Sequence, residues 1–363
     1  MDLETFFIER NLSQKTIKQY NTAWKQYCEY NGGLTVEQLL TEADEEEEAG
    51  VRLKKRTLKT RLVGFRTHLI EEGNSKNSII NKMNQIKAVY RHFEIEIPQL
   101  PYLSDKNLKK QIPITYDDLP NKTIIREALD FAPQMVRAFI LLQVSSGMGR
   151  AEVLSLDLES FLSSSGFLDK TKSIREQLIN MYKCKELIIP TFKLKRQKVN
   201  EYYYTFCSPE ATIEIVRYLL NRRDDLNYDS PLFKVGGHYI NELYAQINDV
   251  LGLGKVGPYN RFRPHMLRKF NATALTTGDN ALSEAEVDFL QGRSRGKIRE
   301  TYMKKDPALL KEKYVNAMEH ILINHTSSVV NNQLREFERN EAKINKLLEL
   351  VSAIDVPIEE LHK

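Results

Sequence analysis

The sequence predicts a mainly α-helical protein of two domains, with one small antiparallel β-hairpin set into the second. Three observations predict it. Apolar residues recur at three- and four-residue steps through the first hundred positions, which is the period of one helix face. Residues 97–120 break that period with four prolines and scattered lysines, the composition of an extended connector. Beyond them the helical period returns, except where LIIPTF and YYYTF flank the charged run KLKRQKVNE, two β-rich segments around a polar turn.

Within the first domain, residues 1–100, Ser13 is suited to cap a helix whose apolar stripe is Ile17, Tyr20, Trp24 and Tyr27. A second helix is expected from about Leu53 to Glu72. Its apolar face holds Leu58, Leu62, Phe65 and Leu69, with Lys55, Lys59 and Arg66 off that face. A third begins near Ser75 and carries Ile79, Met83, Ile86, Val89 and Tyr90, and Gly32-Gly33 and Gly73-Asn74 mark turns. Residues 101–119 form the linker, with the domain boundary near residue 105.

The second domain, residues 120–326, opens with helical stretches at Ile124–Phe131 and Met135–Val144. The hairpin falls within Glu186–Phe206. Ser208-Pro209-Glu210 then starts a helix that runs through Arg222, with proline at the first helical position. Residues 327–363 read as one long C-terminal helix. Val330, Leu334, Phe337, Ile344, Leu348 and Val351 follow 4-3 steps interrupted by Glu341. That pattern suits a short coiled coil, or a helix packed on its own domain or on a neighbour. No internal repeat is visible.

The chain of 363 residues is long enough for two cores, and 41% hydrophobic with 28% charged residues excludes wholesale disorder. No apolar run approaches the ~18 residues of a membrane-spanning helix. The N-terminal MDLETFFIER carries acids where a signal peptide has a basic region, so no signal peptide and no membrane partner are expected. Cys28, Cys184 and Cys207 are odd in number, far apart and outside any ligand spacing. Neither a disulfide framework nor a zinc site is expected, and a reducing cytoplasm fits. The net charge of +4 says little about partners, but residues 51–66 hold seven Lys/Arg and no acid, directly after the acidic run Asp44–Glu48. That segregation suits a stripe for a polyanion, and equally a solvated helix face.

The residues that carry chemistry are mostly basic and end in one phenol. In chain order they are Arg150, the lysines Lys193, Lys195 and Lys198, then His265, Arg268, Arg293 and Tyr302. Each alone has an ordinary structural reading. Together they suit cleavage of a phosphodiester by a protein nucleophile, whose transition state needs cations on the non-bridging oxygens. Arg150 follows glycines at a helix start, where backbone N–H groups also favour an anion. His265 and Arg268 sit at i, i+3 after Pro264, on one helix face. Gly292 allows a turn that brings Arg293 to a ligand. Tyr302 lies among Lys297, Arg299, Lys304 and Lys305, cations that ease ionisation of a phenol with pKa of ~10.

This order resembles the tyrosine recombinase (integrase) family, most clearly in SSGMGRAEVLSL, RPHMLRKF and LQGRSRGKIRETYMKKDPALLKEKY. The segment LSQKTIKQYNTAWKQY, with a helical bundle behind it, is similar to the family's core-binding domain. The resemblance covers roughly residues 5–325 and leaves the tail outside. The hairpin segment RQKVNEYYYTFCSPEA, and GR where the family usually has GH, look most like archaeal and archaeal-virus integrases. The resemblance implies the tyrosine recombinase catalytic fold in the second domain and site-specific cleavage and rejoining of DNA without cofactor or metal. Tyr302 would attack the scissile phosphate to give a 3′-phosphotyrosine. Arg150 and Arg268 would hold the phosphate, His265 would assist proton transfer and Arg293 would donate to the phosphate. A hairpin lysine would protonate the leaving 5′-oxygen: Lys198 is nearest the turn, with Lys195 and Lys193 behind it.

The chain departs from the family pattern in two places. The first box usually reads GLRxxEL, and strict alignment of GMGRAE puts Gly149 under the arginine. Arg150 takes the role if the helix start moves by one residue. Arg293 stands where the family has His or Trp and stays protonated, so it cannot be a general base. The implied partners are double-stranded DNA attachment sites, a homotetramer on DNA, and accessory DNA-bending or directionality proteins. DNA contacts are expected from Lys55, Lys59, Arg66, Lys193, Lys195, Arg263 and Lys269. The role expected is integration or excision of a mobile element or virus. Alternatives are a chromosome-dimer resolvase of the same family and a clamp that binds DNA without cutting it. A type IB topoisomerase fits less well, because its counterpart of HxxR generally lacks the histidine.

Overall fold

A computed structural model describes residues 1–104, 108, 113–196, 201–278, 280–293 and 306–324. The chain is mainly helical and divides into two compact units, Met1–Pro113 and Ile114–Lys363.

The first unit contains α1 (Leu3–Glu9), α2 (Gln14–Tyr30), α3 (Val36–Glu48), α4 (Thr57–Glu71) and α5 (Lys76–His92). Ser13 and Ser75 cap α2 and α5 through their hydroxyls, at the expected starts. The core gathers Trp24 and Tyr27 of α2, the four apolar residues of α4 and the apolar stripe of α5. Trp24 meets Tyr27 edge-on, with ring centroids 5.4 Å apart. Leu100, Leu103 and Leu108, from the proline-rich stretch, also pack on this core.

Two features of this unit differ from the sequence expectation. First, α3 lies within the stretch read as helical but has no stripe of its own to mark its bounds: it buries only Leu39, Leu40 and Ala43, and the acidic run is its last turns. Second, α4 begins at Thr57 rather than near Leu53. Leu53–Lys55 is a 3₁₀ turn and Arg56 is extended. The cause is the acidic end of α3. The buried Arg56 donates to Glu47 Oε2 at 2.9 Å and to the Val51 carbonyl at 3.0 Å, while Glu46 accepts the first free N–H of α4, that of Thr57, at 2.9 Å. Arg61 is likewise held by both oxygens of Glu42, at 2.7 and 2.9 Å. Part of the basic segment is therefore paired within the fold.

The second unit contains α6 (Lys122–Phe131), α7 (Gln134–Ser146), α8 (Arg150–Leu154), α9 (Leu158–Ser165), α10 (Ile174–Lys183), β1 (Thr191–Arg196), β2 (Glu201–Phe206), α11 (Pro209–Asn221), α12 (Gly237–Val250), β3 (Lys255–Val256), β4 (Tyr259–Asn260), α13 (Pro264–Leu275), α14 (Glu284–Leu290) and α15 (Pro307–Ala317). β1 pairs antiparallel with β2, Lys193 opposite Tyr204 and Lys195 opposite Tyr202, and β3 with β4 forms a second two-stranded sheet. β1 starts only at Thr191, so LIIP of the first β-rich run precedes the strand. The Pro190 carbonyl extends the ladder by accepting from the Cys207 N–H at 3.1 Å. A proline has no N–H to continue it.

α7 is the axis of this unit. Val136 and every residue from Ala138 to Ser146 are buried, and α7 packs chiefly against α11 and α13. A helix end buried this way must satisfy its last carbonyls with side chains. Asn271 of α13 donates to the Val144 and Ser145 carbonyls at 2.9 and 3.1 Å. Tyr314 of α15 reaches the Ser145 carbonyl at 3.0 Å, and Thr205 of β2 reaches that of Ser146 at 2.7 Å. Gly147, at φ 64°, ends the helix in the left-handed conformation. Three separate elements thus converge on one helix terminus, and α8 begins at Arg150, four residues after Ser146.

Candidate active site

Two helix starts bring the basic residues together. Gly149 is the extended N-cap of α8, which places Arg150 at the first helical position. Arg150 Nη1 donates to the Gly237 carbonyl at 2.9 Å, so its guanidinium rests on the start of α12. A β-carbon on Gly237 would stand 3.7 Å from the guanidinium carbon, an ordinary contact. At the second start, Arg263 caps α13 with Pro264 at its first turn, and His265 and Arg268 follow on one face. Arg150, Arg263, His265 and Arg268 line one cleft of about 530 Å³, which Tyr244 and Tyr259 also line. Arg263 lies over the Tyr259 ring, 5.0 Å from its centroid.

Arg268 is held most firmly. Its Nη1 donates to the Gly147 carbonyl at 2.9 Å and to Glu152 Oε2 at 3.0 Å, and its Nη2 donates to the Gln291 carbonyl. Burial lowers its proton affinity and the Glu152 charge opposes that, so the guanidinium stays charged. Glu152 also accepts the Gly149 N–H at 2.5 Å. One of the backbone N–H groups expected to favour an anion near Arg150, that of Gly149, is therefore already taken. His265 lines the cleft and is exposed. Partial desolvation by the cleft walls, then the charges of Lys269, Arg263, Arg268 and Arg293, hold its imidazole below the ordinary 6.5. It is neutral at pH 7.

Arg293 follows Gly292, at φ 58°, whose missing side chain leaves room for the Tyr203 ring. Arg293 Nη1 is 3.6 Å from Asp288 Oδ1. It does not line the cleft, but its charge acts on both His265 and Arg268. Lys193 and Lys195 project from the exposed face of the hairpin with their ammonium groups 4.8 and 5.8 Å from the Tyr202 ring centroid. Strand alternation puts them opposite the face on which Tyr203 meets Gly292. Lys198 and Tyr302 lie outside the described residues, as do Lys297, Arg299, Lys304, Lys305 and the tail 327–363.

In the first unit Lys55 closes the 3₁₀ turn and is exposed, Lys59 sits on the first turn of α4, and Arg66 donates to the Pro101 carbonyl at 2.7 Å. Lys87 and Arg91 of α5, absent from the sequence expectation, join Arg66 in one like-charged group. Desolvation, then Arg91 and Arg66, lower the proton affinity of Lys87. Among the described residues no cluster of three His, Cys, Asp or Glu could hold a metal ion, and no helix is long and apolar enough to cross a membrane.

Sequence reasoning also missed Glu152, Asn271 and Gln291. Asn271 left a trace, as a polar residue one turn beyond Arg268 on a largely apolar helix. Gln291 left none.

No protein-family model matches the chain and no curated protein matches it. Several solved structures are similar. The XerH site-specific recombinase, bound to palindromic difH substrate in a post-cleavage complex, is 16% identical with a TM-score of 0.49, over 84% of this chain and 80% of that one. The Tn1549 transposon integrase in complex with circular intermediate DNA is 13% identical with a TM-score of 0.43, over 82% and 99%. The integrase from mycobacterium phage Brujita is 15% identical with a TM-score of 0.37, over 91% and 95%.

Proposed function

We propose that the chain is a tyrosine recombinase that cleaves and rejoins duplex DNA through a 3′-phosphotyrosine. The observation that carries this reading is the convergence of Arg150, His265 and Arg268, from two helix starts, on one cleft. Arg150 lies more than a hundred positions from His265 and Arg268, and two such distant segments have little structural reason to share a concavity unless they serve one ligand, while two guanidiniums beside a neutral imidazole suit a phosphodiester.

In the proposed reaction Tyr302 Oη attacks the scissile phosphorus and the P–O5′ bond breaks. The phenolic proton passes to His265, which is neutral and able to accept it. Lys198 donates a proton to the departing 5′-oxygen. Arg150 and Arg268 balance the charge on the non-bridging oxygens, with Arg293 donating from the adjacent turn. Ligation is the reverse attack by a 5′-hydroxyl, and the phosphotyrosine conserves the bond energy. Lys55, Lys59, Arg66, Lys193, Lys195, Arg263 and Lys269 supply backbone contacts. The finer reading is an integrase of a mobile element or virus, of the archaeal type, acting as a tetramer in the cytoplasm. Its core-binding domain is residues 1–100 and its catalytic domain 120–326, with residues 327–363 as a docking helix.

The test is covalent trapping. Wild type and Tyr302→Phe are incubated without metal with nicked, partly randomised duplexes and with DNA flanking the native gene. An SDS-resistant, protease-sensitive adduct with wild type alone is expected, and the trapped DNA identifies the site. Salt-sensitive binding with no adduct would instead indicate a clamp that does not cut.

A further inference from the structure

We propose that Asn271 and Gln291 are a positioning pair that aims Arg268 and locks it to the turn carrying Arg293. This rests on the reading of the cleft as a phosphodiester-cleaving site.

Both side chains are fully buried. Gln291 Nε2 donates to Asn271 Oδ1 at 2.7 Å and to the Arg268 backbone carbonyl at 3.0 Å. The Gln291 carbonyl in turn accepts from Arg268 Nη2. One residue therefore grips Arg268 at both its backbone and its guanidinium. Asn271 anchors that grip to the end of α7 through the Val144 and Ser145 carbonyls, and the Gly147 carbonyl takes the other guanidinium nitrogen. Arg293 is two residues past Gln291, with only Gly292 between. Any shift of Gln291 moves a hydrogen-bond partner of one arginine and the backbone of the other. A long, flexible guanidinium aimed at a developing charge gains most from such fixing. An apolar pair would fill the same space without aiming anything.

The experiment measures three quantities for wild type, Gln291→Met and Thr205→Val: the first-order rate of covalent adduct formation at saturating DNA, DNA affinity, and Tm. Gln291→Met keeps chain length and removes both amide donors. Thr205→Val removes a buried hydrogen bond at the same helix end but touches neither arginine. Expected is a loss of roughly 10- to 100-fold in rate for Gln291→Met, as for a small misplacement of a reacting group, with affinity held within about threefold. Thr205→Val should lower Tm and keep the wild-type rate. The proposal is overturned if Gln291→Met reacts at the wild-type rate, or if Thr205→Val slows as much for the same loss of Tm. If Gln291→Met does not fold, Gln291→Asn, whose shorter arm cannot reach both partners, should show the same rate loss. A wild type that forms no adduct would sink the functional reading itself, an outcome distinct from either of these.

Discussion

Gly147→Ala should be the most damaging single-methyl change in the second unit, and its cost can be worked from two separate terms. Gly147 has φ +64°, which an L-residue adopts at a cost of about 1–2 kcal/mol. Its β-carbon would also stand 2.4 Å from Asn271 Oδ1 and 2.7 Å from Gln291 Nε2, well inside contact distance. Those two atoms are hydrogen-bonded to each other, so the intruding methyl must push them apart. That sacrifices the Asn271–Gln291 bond and strains the Gln291 bond to the Arg268 carbonyl, each worth about 1 kcal/mol, more if a buried group is left unpaired. The whole should reach about 3–5 kcal/mol, a large part of a typical domain's stability. In a domain of this size each kcal/mol moves Tm by about 2–4 °C, so a loss on the order of 10 °C is expected. Gly166→Ala is the control. Gly166 ends α9 at φ +77° with nothing within 4 Å of its β-carbon, so only the backbone term applies. Calorimetry on both variants, following the transition of the second unit, measures the difference. Equal losses in the two would refute the crowding argument and with it the claim that the helix end, Asn271 and Gln291 are packed as one unit.

Other outcomes follow from the same geometry. Tyr314 is the nearest alternative nucleophile in sequence, but it is buried, donates to the Ser145 carbonyl at 3.0 Å, and burial pushes its phenol well above the ordinary range. Tyr314→Phe should therefore keep adduct formation. It should cost only about 1 kcal/mol of stability by urea titration, because Asn271 still serves that carbonyl. His265 is held below 6.5, so its neutral form dominates at pH 7. The adduct rate should be level above that pH and fall as pH drops through the depressed value, and His265→Asn should lose that acid limb; an unchanged limb would assign it to another group. Arg61 joins both Glu42 oxygens to Asn31 Oδ1, at 2.7, 2.9 and 2.9 Å. Arg61→Ala should cost about 1–3 kcal/mol, seen as faster hydrogen exchange in the first unit alone. Glu210 is buried and accepts the Ile323 and Asn324 N–H groups at 3.0 and 3.2 Å. Glu210→Ala should speed exchange of those two amides, which lie beyond α15, more than that of any amide within α11 or α15.

The sequence by itself determined the mainly helical class, because an apolar stripe at the helical period can bury only one way. It also determined the starts of α2, α5, α11 and α13, because Ser13, Ser75, Ser208 and Pro264 satisfy or tolerate the free N–H groups beside them. The pairing of His265 with Arg268 was legible for the same reason: i, i+3 on a helix is a local fact. What lay beyond reach were contacts between distant segments. Even at short range, no periodicity says that Glu47 will fold back onto Arg56 and Glu46 onto the Thr57 N–H, so the true start of α4 was hidden. Only the tertiary structure decided that Arg150 and His265 share a cleft, and that Asn271 meets a carbonyl 127 residues away. Periodicity reports which face of an element is apolar, whereas the partner of a buried polar group depends on which other segment is packed over it. That choice is made by the helix end whose carbonyls must be satisfied, and in this chain it is the end of α7 that gathers the site.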